Sequence, residues 1–314
     1  MSFHYQPQGI YSAQWIPTDA QGRLDRPALT ELVRFSRAHG IHGMLALGST
    51  GEFPQFSPEG RREVLTVVAE LMEGLPWIVN VSDIRSRVAV EIGRFAKGLG
   101  ASAIGLMPPM FFPVSPADQL AYFLHVADAV DLPVMLYNFP ELTGKRIPLE
   151  TVAAFAERAP MCAIKQSGGE FAYHQELIAL GRQKNFVVMS GSDTRLPEVF
   201  ALGATGAIGG LVNIVPELMV AIYRECIEKQ PSDAAAAALR MKEVGRVIDQ
   251  LNFPLNVAAG LEARGLNPGA PKTIVSPESK ALYAKIVAEL AALFSGWRLS
   301  LGRQLPSSPC EPGS

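Results

Sequence analysis

The sequence predicts an α/β fold, a (β/α)8 TIM barrel with a C-terminal helical appendix. Three observations carry this. Eight short apolar or β-branched runs lie between Ile10 and Gly209 of the 314 residues. Each is followed by a longer stretch of helical pattern, the alternation a parallel barrel requires. The runs are near-continuously apolar rather than alternating, as strands covered on both faces must be.

In chain order the strands are expected at Ile10–Ile16, Gly43–Leu47, Trp77–Val81, Ala103–Met107, Val134–Asn138, Cys162–Lys165, Phe186–Ser190 and Thr205–Gly209. Helix starts are marked by Ser57-Pro58-Glu59, Ser115-Pro116-Ala117-Asp118 and Ser276-Pro277-Glu278, each a capping serine before proline at the first helical position. In the second, Asp118 stands where a capping box places its acid. Gly40, Gly74, Gly100 and Gly203 precede strands as helix-stop glycines. Beyond about Gln230 the pattern is purely helical, with helices expected near Asp233–Leu251, Leu255–Arg264 and Glu278–Phe294. The organisation read from this is a catalytic barrel over 9–229, a helical extension over 230–300 and a proline- and serine-rich, disordered tail over 301–314.

Composition narrows the classes. Hydrophobic residues make up 48% and charged residues 18%, enough for a sizeable core. The net charge of −2, without a dense basic run, gives no footprint for nucleic acid or an anionic membrane. Cys162, Cys226 and Cys310 are odd in number and scattered, with neither metal-ligand spacing nor a disulfide framework, which suggests a reducing compartment. The start, Met1-Ser2-Phe3-His4-Tyr5-Gln6, lacks a basic segment followed by an apolar one, so no secretion signal is read. The glycine-rich stretch Val199–Pro216 reads as helix end, strand and loop rather than a membrane span. The expectation is a cytoplasmic protein needing no metal or cofactor.

Chemistry is expected on the loops at the carboxyl ends of the strands. Lys165 closes the apolar run Met161-Cys162-Ala163-Ile164 and opens the loop Gln166-Ser167-Gly168-Gly169. A lysine held against apolar surface loses hydration, which disfavours the ammonium and leaves a nucleophile for a ketone; a bland strand-end lysine only carries a solvated charge. Gly48-Ser49-Thr50-Gly51-Glu52 after strand two is either a tight turn with helix-capping hydroxyls or an anion cradle of backbone N–H groups and hydroxyls. Tyr137, ending strand five, is either a half-buried aromatic or a proton shuttle beside the lysine. Asp193, in Gly191-Ser192-Asp193 after strand seven, is expected first as the cap of a helix beginning at Thr194, and otherwise as a substrate contact. Gly203-Ala204-Thr205-Gly206-Ala207-Ile208-Gly209-Gly210 fits neither dinucleotide nor Walker spacing; its glycines are read as letting a substrate approach.

Taken together, Gly48-Ser49-Thr50-Gly51-Glu52, Tyr137-Asn138-Phe139-Pro140 and Ile164-Lys165-Gln166-Ser167-Gly168-Gly169 resemble the N-acetylneuraminate lyase / dihydrodipicolinate synthase superfamily of class I Schiff-base aldolases. The resemblance runs from about Gly9 to Arg224 and more loosely to Leu266. It implies Lys165 for the imine, Tyr137 for proton transfer, and Ser49 with Thr50 for the carboxylate of pyruvate. Gly51, Gly191, Asp193 and Gly209 complete the expected substrate contacts, with no metal.

The departures bear on the substrate. Dihydrodipicolinate synthases place an arginine where this chain has Leu142. Sialic-acid lyases have a glutamate and a serine where this chain has Thr194 and Gly210. Tyr137-Asn138-Phe139-Pro140-Glu141-Leu142-Thr143-Gly144 is most similar to 2-keto-3-deoxy-sugar-acid aldolases, and Lys165-Gln166-Ser167-Gly168-Gly169 resembles 4-hydroxy-2-oxoglutarate aldolases. Phe111 stands where the family commonly has a tyrosine that enters the neighbouring subunit's site. The expected function is cleavage of a 2-oxo acid to pyruvate and an aldehyde through a lysine imine, in a homo-oligomer, tetramer or dimer. The alternatives are a dehydratase acting through the same imine, and a pseudoenzyme that binds pyruvate or another oxo acid.

Overall fold

Short runs buried on both faces need a partner on each edge, and a closed ring of parallel strands supplies both. The computed structural model describes residues 5–299 and 301–302. In it, β1 (Gly9–Ala13), β2 (Gly43–Ala46), β3 (Trp77–Asn80), β4 (Ala103–Leu106), β5 (Val134–Asn138), β6 (Met161–Gln166), β7 (Val187–Ser190) and β8 (Gly206–Gly209) close in sequence order, every neighbouring pair parallel. All strand residues except Val187 are buried. The predicted barrel with its helical appendix is the observed fold.

The first strand is shorter than the apolar run suggests. Gln14 N still donates to Leu45 O at 3.0 Å, but Trp15 N turns away to Asn213 Oδ1 at 2.9 Å, so the chain leaves the sheet after Ala13. The ring is sealed where β8 meets β1 in the register Gly9↔Gly206 through Ser12↔Gly209. Gly206 is required there: a Cβ would lie far inside contact with Gly9 O and 2.8 Å from Met189 Cε.

The outer helices are α1 (Arg26–Ala38), α2 (Pro58–Met72), α3 (Ser86–Gly98), α4 (Pro116–Val130), the single turn α5 (Pro140–Thr143), α6 (Leu149–Arg158), α7 (Tyr173–Lys184), α8 (Leu196–Leu202) and α9 (Pro216–Cys226). Ser57, Ser115 and Ser276 are N-caps as predicted, accepting from Gly60 N, Asp118 N and Ser279 N. At Ser115 the acid does not reach back to the cap's own N–H; Asp118 Oδ2 instead accepts from the Ser115 hydroxyl at 2.6 Å. Gly40, Gly74, Gly100 and Gly203 all have positive φ, as helix-stop residues should.

Beyond the ring come α10 (Ala234–Ile248), α11 (Leu255–Ala263) and α12 (Pro277–Gly296). α10 packs along α9 and against the 3-10 turn Asp193–Arg195, while α11 packs on α12. Among the described residues no helix is long and apolar enough to cross a membrane. The predicted disordered tail, apart from Leu301 and Gly302, and the first four residues of the predicted leaderless start lie outside the described residues.

Gly206→Ala should lower unfolding free energy by roughly 3 kcal/mol, because the added methyl meets backbone rather than a yielding side chain. Urea unfolding of the two proteins, followed by far-ultraviolet circular dichroism, checks it.

Candidate active site

The site begins with strand register. Val134 lies opposite Met161, but Met135 lies opposite Ala163, a one-residue slip that leaves Cys162 as the extra residue of β6. After the slip, Tyr137 pairs with Lys165 and Asn138 with Gln166. Side chains directly opposite on parallel neighbours share a face, so the slip puts the phenol and the amine on the same side. Lys165 Nζ donates to Tyr137 Oη at 2.9 Å, and the Lys165 side chain is 4% exposed. Tyr137 Oη is also 3.3 Å from Ser49 Oγ, so amine, phenol and serine hydroxyl form one chain of hydrogen bonds.

The loop after β2 is bracketed by two left-handed residues, Leu47 (φ 55°) and Glu52 (φ 54°). Gly51 N donates to Gly48 O and Glu52 N to Ser49 O, closing two tight turns. Among the described residues the N–H groups of Ser49 and Thr50 find no such partner, which leaves two backbone donors beside two hydroxyls. That is the inventory of a small anion cradle. Gly51 serves the loop differently from expectation: a Cβ there would stand 2.8 Å from Gln14 O and 3.0 Å from Ile16 Cγ1, so its bareness admits the exit of β1.

Asp193 is not a helix cap. It lies inside the turn Asp193–Arg195, and α8, starting at Leu196, has no side-chain cap. Its Oδ2 instead accepts from Leu211 N at 2.9 Å across the barrel mouth, while Oδ1 is buried without a hydrogen-bond partner. Burial pushes the carboxyl up to about 6, against the Leu211 N–H and the charge of Lys165, which act to lower it. The space above Gly209 is filled by this carboxyl, since a Cβ there would overlap Asp193 Oδ1. The bareness of Gly209 therefore accommodates the protein's own aspartate rather than a ligand. Gly191 donates its N–H to Gln166 O at 2.7 Å and closes on Ser167 in the same way.

A frame of hydrogen bonds fixes the mouth. Asn138 Nδ2 donates to Gln166 Oε1 at 2.7 Å, Ile147 N donates to Asn138 Oδ1 at 2.9 Å, and Tyr173 Oη donates to Ile147 O at 2.7 Å. Glu141 Oε1 accepts from Gly169 N at 2.6 Å, joining the loops after β5 and β6. Buried His174, whose pKa burial lowers, lies 3.0 Å from Ser190 Oγ, and that hydroxyl also receives Ser192 N.

These groups surround a cavity of about 430 Å³. Of the predicted site residues, Lys165, Tyr137, Thr50, Gly191 and Asp193 line it; Ser49 reaches it through Tyr137, and Gly51 and Gly209 stand behind it. Sequence reasoning missed Ser167, Arg195 and the wall supplied by α10, α11 and the link between them: Gly245, Ile248, Asp249, Phe253, Asn256 and Val257. Ser167 lay within a quoted motif and was legible; the helical wall carried no motif. Arg195 stacks its guanidinium 3.5 Å from the Phe171 ring centroid. Phe111, left-handed at φ 74° and 84% exposed, is not in this cavity; with Leu142 it borders a separate shallow surface depression.

Comparison with known proteins follows the same lines. The model of the Dihydrodipicolinate synthetase family matches residues 6–292. A 4-hydroxy-tetrahydrodipicolinate synthase of Natronomonas pharaonis is 27% identical over 285 residues, covering 90% of this chain and 97% of its own. An uncharacterized DapA-like lyase of Thermofilum pendens is 30% identical, covering 88% and 94%. Among solved structures, YagE, a prophage protein of the dihydrodipicolinic acid synthase family from E. coli K12 crystallised with pyruvate, superposes with a TM-score of 0.82 at 28% identity, covering 93% of this chain and 99% of its own.

Asp193 gives a pH signature. Its folded-state value of about 6 lies above the ordinary 3.8. A raised carboxyl favours folding fully only below its unfolded value, and that contribution disappears as pH rises through the folded one. Asp193→Asn should therefore be more stable than the wild type by about 1–3 kcal/mol at pH 8, with the difference shrinking steadily from pH 6 to pH 4. Urea unfolding across that range measures it.

Proposed function

The chain belongs to the dihydrodipicolinate synthetase family, whose members are class I, lysine Schiff-base lyases, and from that premise we propose reversible aldol cleavage of a 2-oxo acid to pyruvate and an aldehyde. The observation that carries the proposal is the buried 2.9 Å contact between Lys165 Nζ and Tyr137 Oη, extended to Ser49 Oγ at 3.3 Å.

In this reading the Lys165 amine attacks the ketone carbon and water leaves, giving an iminium. The cation draws the electron pair of the C3–C4 bond once Tyr137 takes the proton of the C4 hydroxyl. An aldehyde departs, the enamine is protonated at C3, and water releases pyruvate and the free amine. Ser49, Thr50 and their N–H groups hold the substrate carboxylate, which keeps the ketone at attack distance. Bound pyruvate in YagE supports an oxo acid as the ligand here.

The substrate class we infer is a 2-keto-3-deoxy sugar acid or a 4-hydroxy-2-oxo acid. Beyond Lys165 the cavity presents Ser167, Ser192, Thr194, Arg195 and Asp249 among apolar rings, a lining suited to a hydroxylated aldehyde half. Dehydration through the same imine is the second reading, and product analysis separates dehydrated oxo acid from pyruvate plus aldehyde. We infer a homo-oligomer, because Phe111 and Phe112, 84% and 59% exposed with ring centroids 4.9 Å apart, present apolar surface at the edge of the depression that Phe111 and Leu142 line. A reducing, cytoplasmic setting agrees with the free Cys162 and Cys226; burial pushes the Cys162 thiol up to about 12.

Incubation with pyruvate and borohydride should leave a reduced adduct on Lys165 in the mapped peptide and none in Lys165→Ala; a wild-type protein that stays unmodified refutes the imine. Tyr137→Phe should lower kcat about 100-fold or more while half-saturating pyruvate moves little. Equal losses in both would remove the phenol from proton transfer.

A further inference from the structure

One buried ion pair lies outside the site yet touches the loop that forms it. Lys272 Nζ donates to Glu52 Oε2 at 2.7 Å, with the two side chains 4% and 12% exposed. Glu52 is the left-handed residue that ends the Ser49–Thr50 loop, and its N–H closes the turn onto Ser49 O. Lys272 belongs to the irregular strap 266–276 between α11 and α12. That strap is itself anchored. Trp15 Nε1 donates to Pro268 O at 2.8 Å, Ala270 N donates to Thr18 O at 2.7 Å, and Lys272 Nζ lies 4.4 Å from the Trp15 ring centroid.

We propose that Lys272 and Glu52 are positioning residues, a clamp that fixes the carboxylate-holding loop against the exit of β1. The inference rests on the proposed role of Ser49 and Thr50. Neither clamp residue lines the cavity that holds Lys165; both line a neighbouring cavity of about 600 Å³, divided from the first by Phe253. Their effect on substrate therefore passes through Gly51, the one residue between Thr50 and Glu52.

The energetics point the same way. Burial disfavours the Lys272 ammonium, and Glu52 repays part of that cost. A buried pair is a poor source of net stability compared with apolar residues of equal volume, but removing one partner is costly because the other charge is left stranded. What the pair supplies is geometry. An αL glutamate tied to an anchored strap holds the preceding turn in place, together with its two hydroxyls and two N–H groups.

The test uses borohydride trapping at Lys165 as a function of pyruvate concentration in the full chain. It gives a half-saturating concentration and a saturating rate for wild type, Lys272→Met, Glu52→Gln and the double variant. Lys272→Met should raise half-saturation about tenfold while the saturating rate changes less than about twofold, a split expected when the bound pose is reached less often. The double variant should resemble the worse single variant rather than the product of both, because the residues act as one unit. A folded Lys272→Met that is less heat-stable but keeps wild-type half-saturation overturns the clamp, as do independent, multiplying losses. Should Lys272→Met not fold, Glu52→Gln, which still offers Lys272 an acceptor, decides: a shift of about threefold supports the clamp and no shift overturns it. Absence of any adduct in the wild type would instead sink the imine reading, so the two failures are distinguishable.

Discussion

The structure depends on one contact between neighbouring strands: an amine and a phenol 2.9 Å apart, both buried. The one-residue slip between β5 and β6 makes it possible. Had the pairing of Val134 with Met161 continued unbroken, Tyr137 would stand opposite Ile164 and Lys165 opposite Asn138. Cys162 absorbs the slip at the bottom of the strand, where it is buried and chemically inert. The register of the upper strand then brings the amine and the phenol together.

Around that pair the barrel mouth is built to keep charge and polarity satisfied in a largely apolar setting. Asn138 and Gln166, the residues following Tyr137 and Lys165, hydrogen-bond to each other and tie down Ile147 and the main chain of the next loop. The His174–Ser190–Ser192 chain does the same on the far side. Such a frame holds the hydrogen-bonding groups in place before substrate arrives, so little reorganisation remains to be done during reaction. Asp193 and Asn256 are exceptions, each with a buried Oδ1 that lacks a partner among the described residues. The Asp193 oxygen is a cost carried by the fold where β7 and β8 open.

Much of this was legible in the amino-acid sequence. Alternation of apolar runs with amphipathic stretches located all eight strands to within a few residues, because covered strands have no polar alternative at either face. The motifs containing Ser49, Thr50, Tyr137 and Lys165 stood out because unusual residue types interrupted those runs at their carboxyl ends. Three things were not legible. The exit of β1 after Ala13 is set by the distant Asn213 side chain. The role of Asp193 depends on Leu211 and on space left by Gly209, neither visible in local spacing. Lys272 carries no local motif among the nine lysines of the chain, and only tertiary packing sets it against Glu52.

The segment that follows the ring, α10, α11 and the link between them, closes one side of the cavity with Ile248, Asp249, Phe253, Asn256 and Val257, while the Lys165 amine and the Tyr137 phenol come from strands. In the proposed reaction, bond-making and tail recognition are thus housed in different parts of the chain. Under the proposed reading, substitutions on α10, α11 and the link between them can remodel which aldehyde half fits without disturbing strand pairing, so new substrate preferences are open to this scaffold while the proposed chemistry stays unchanged.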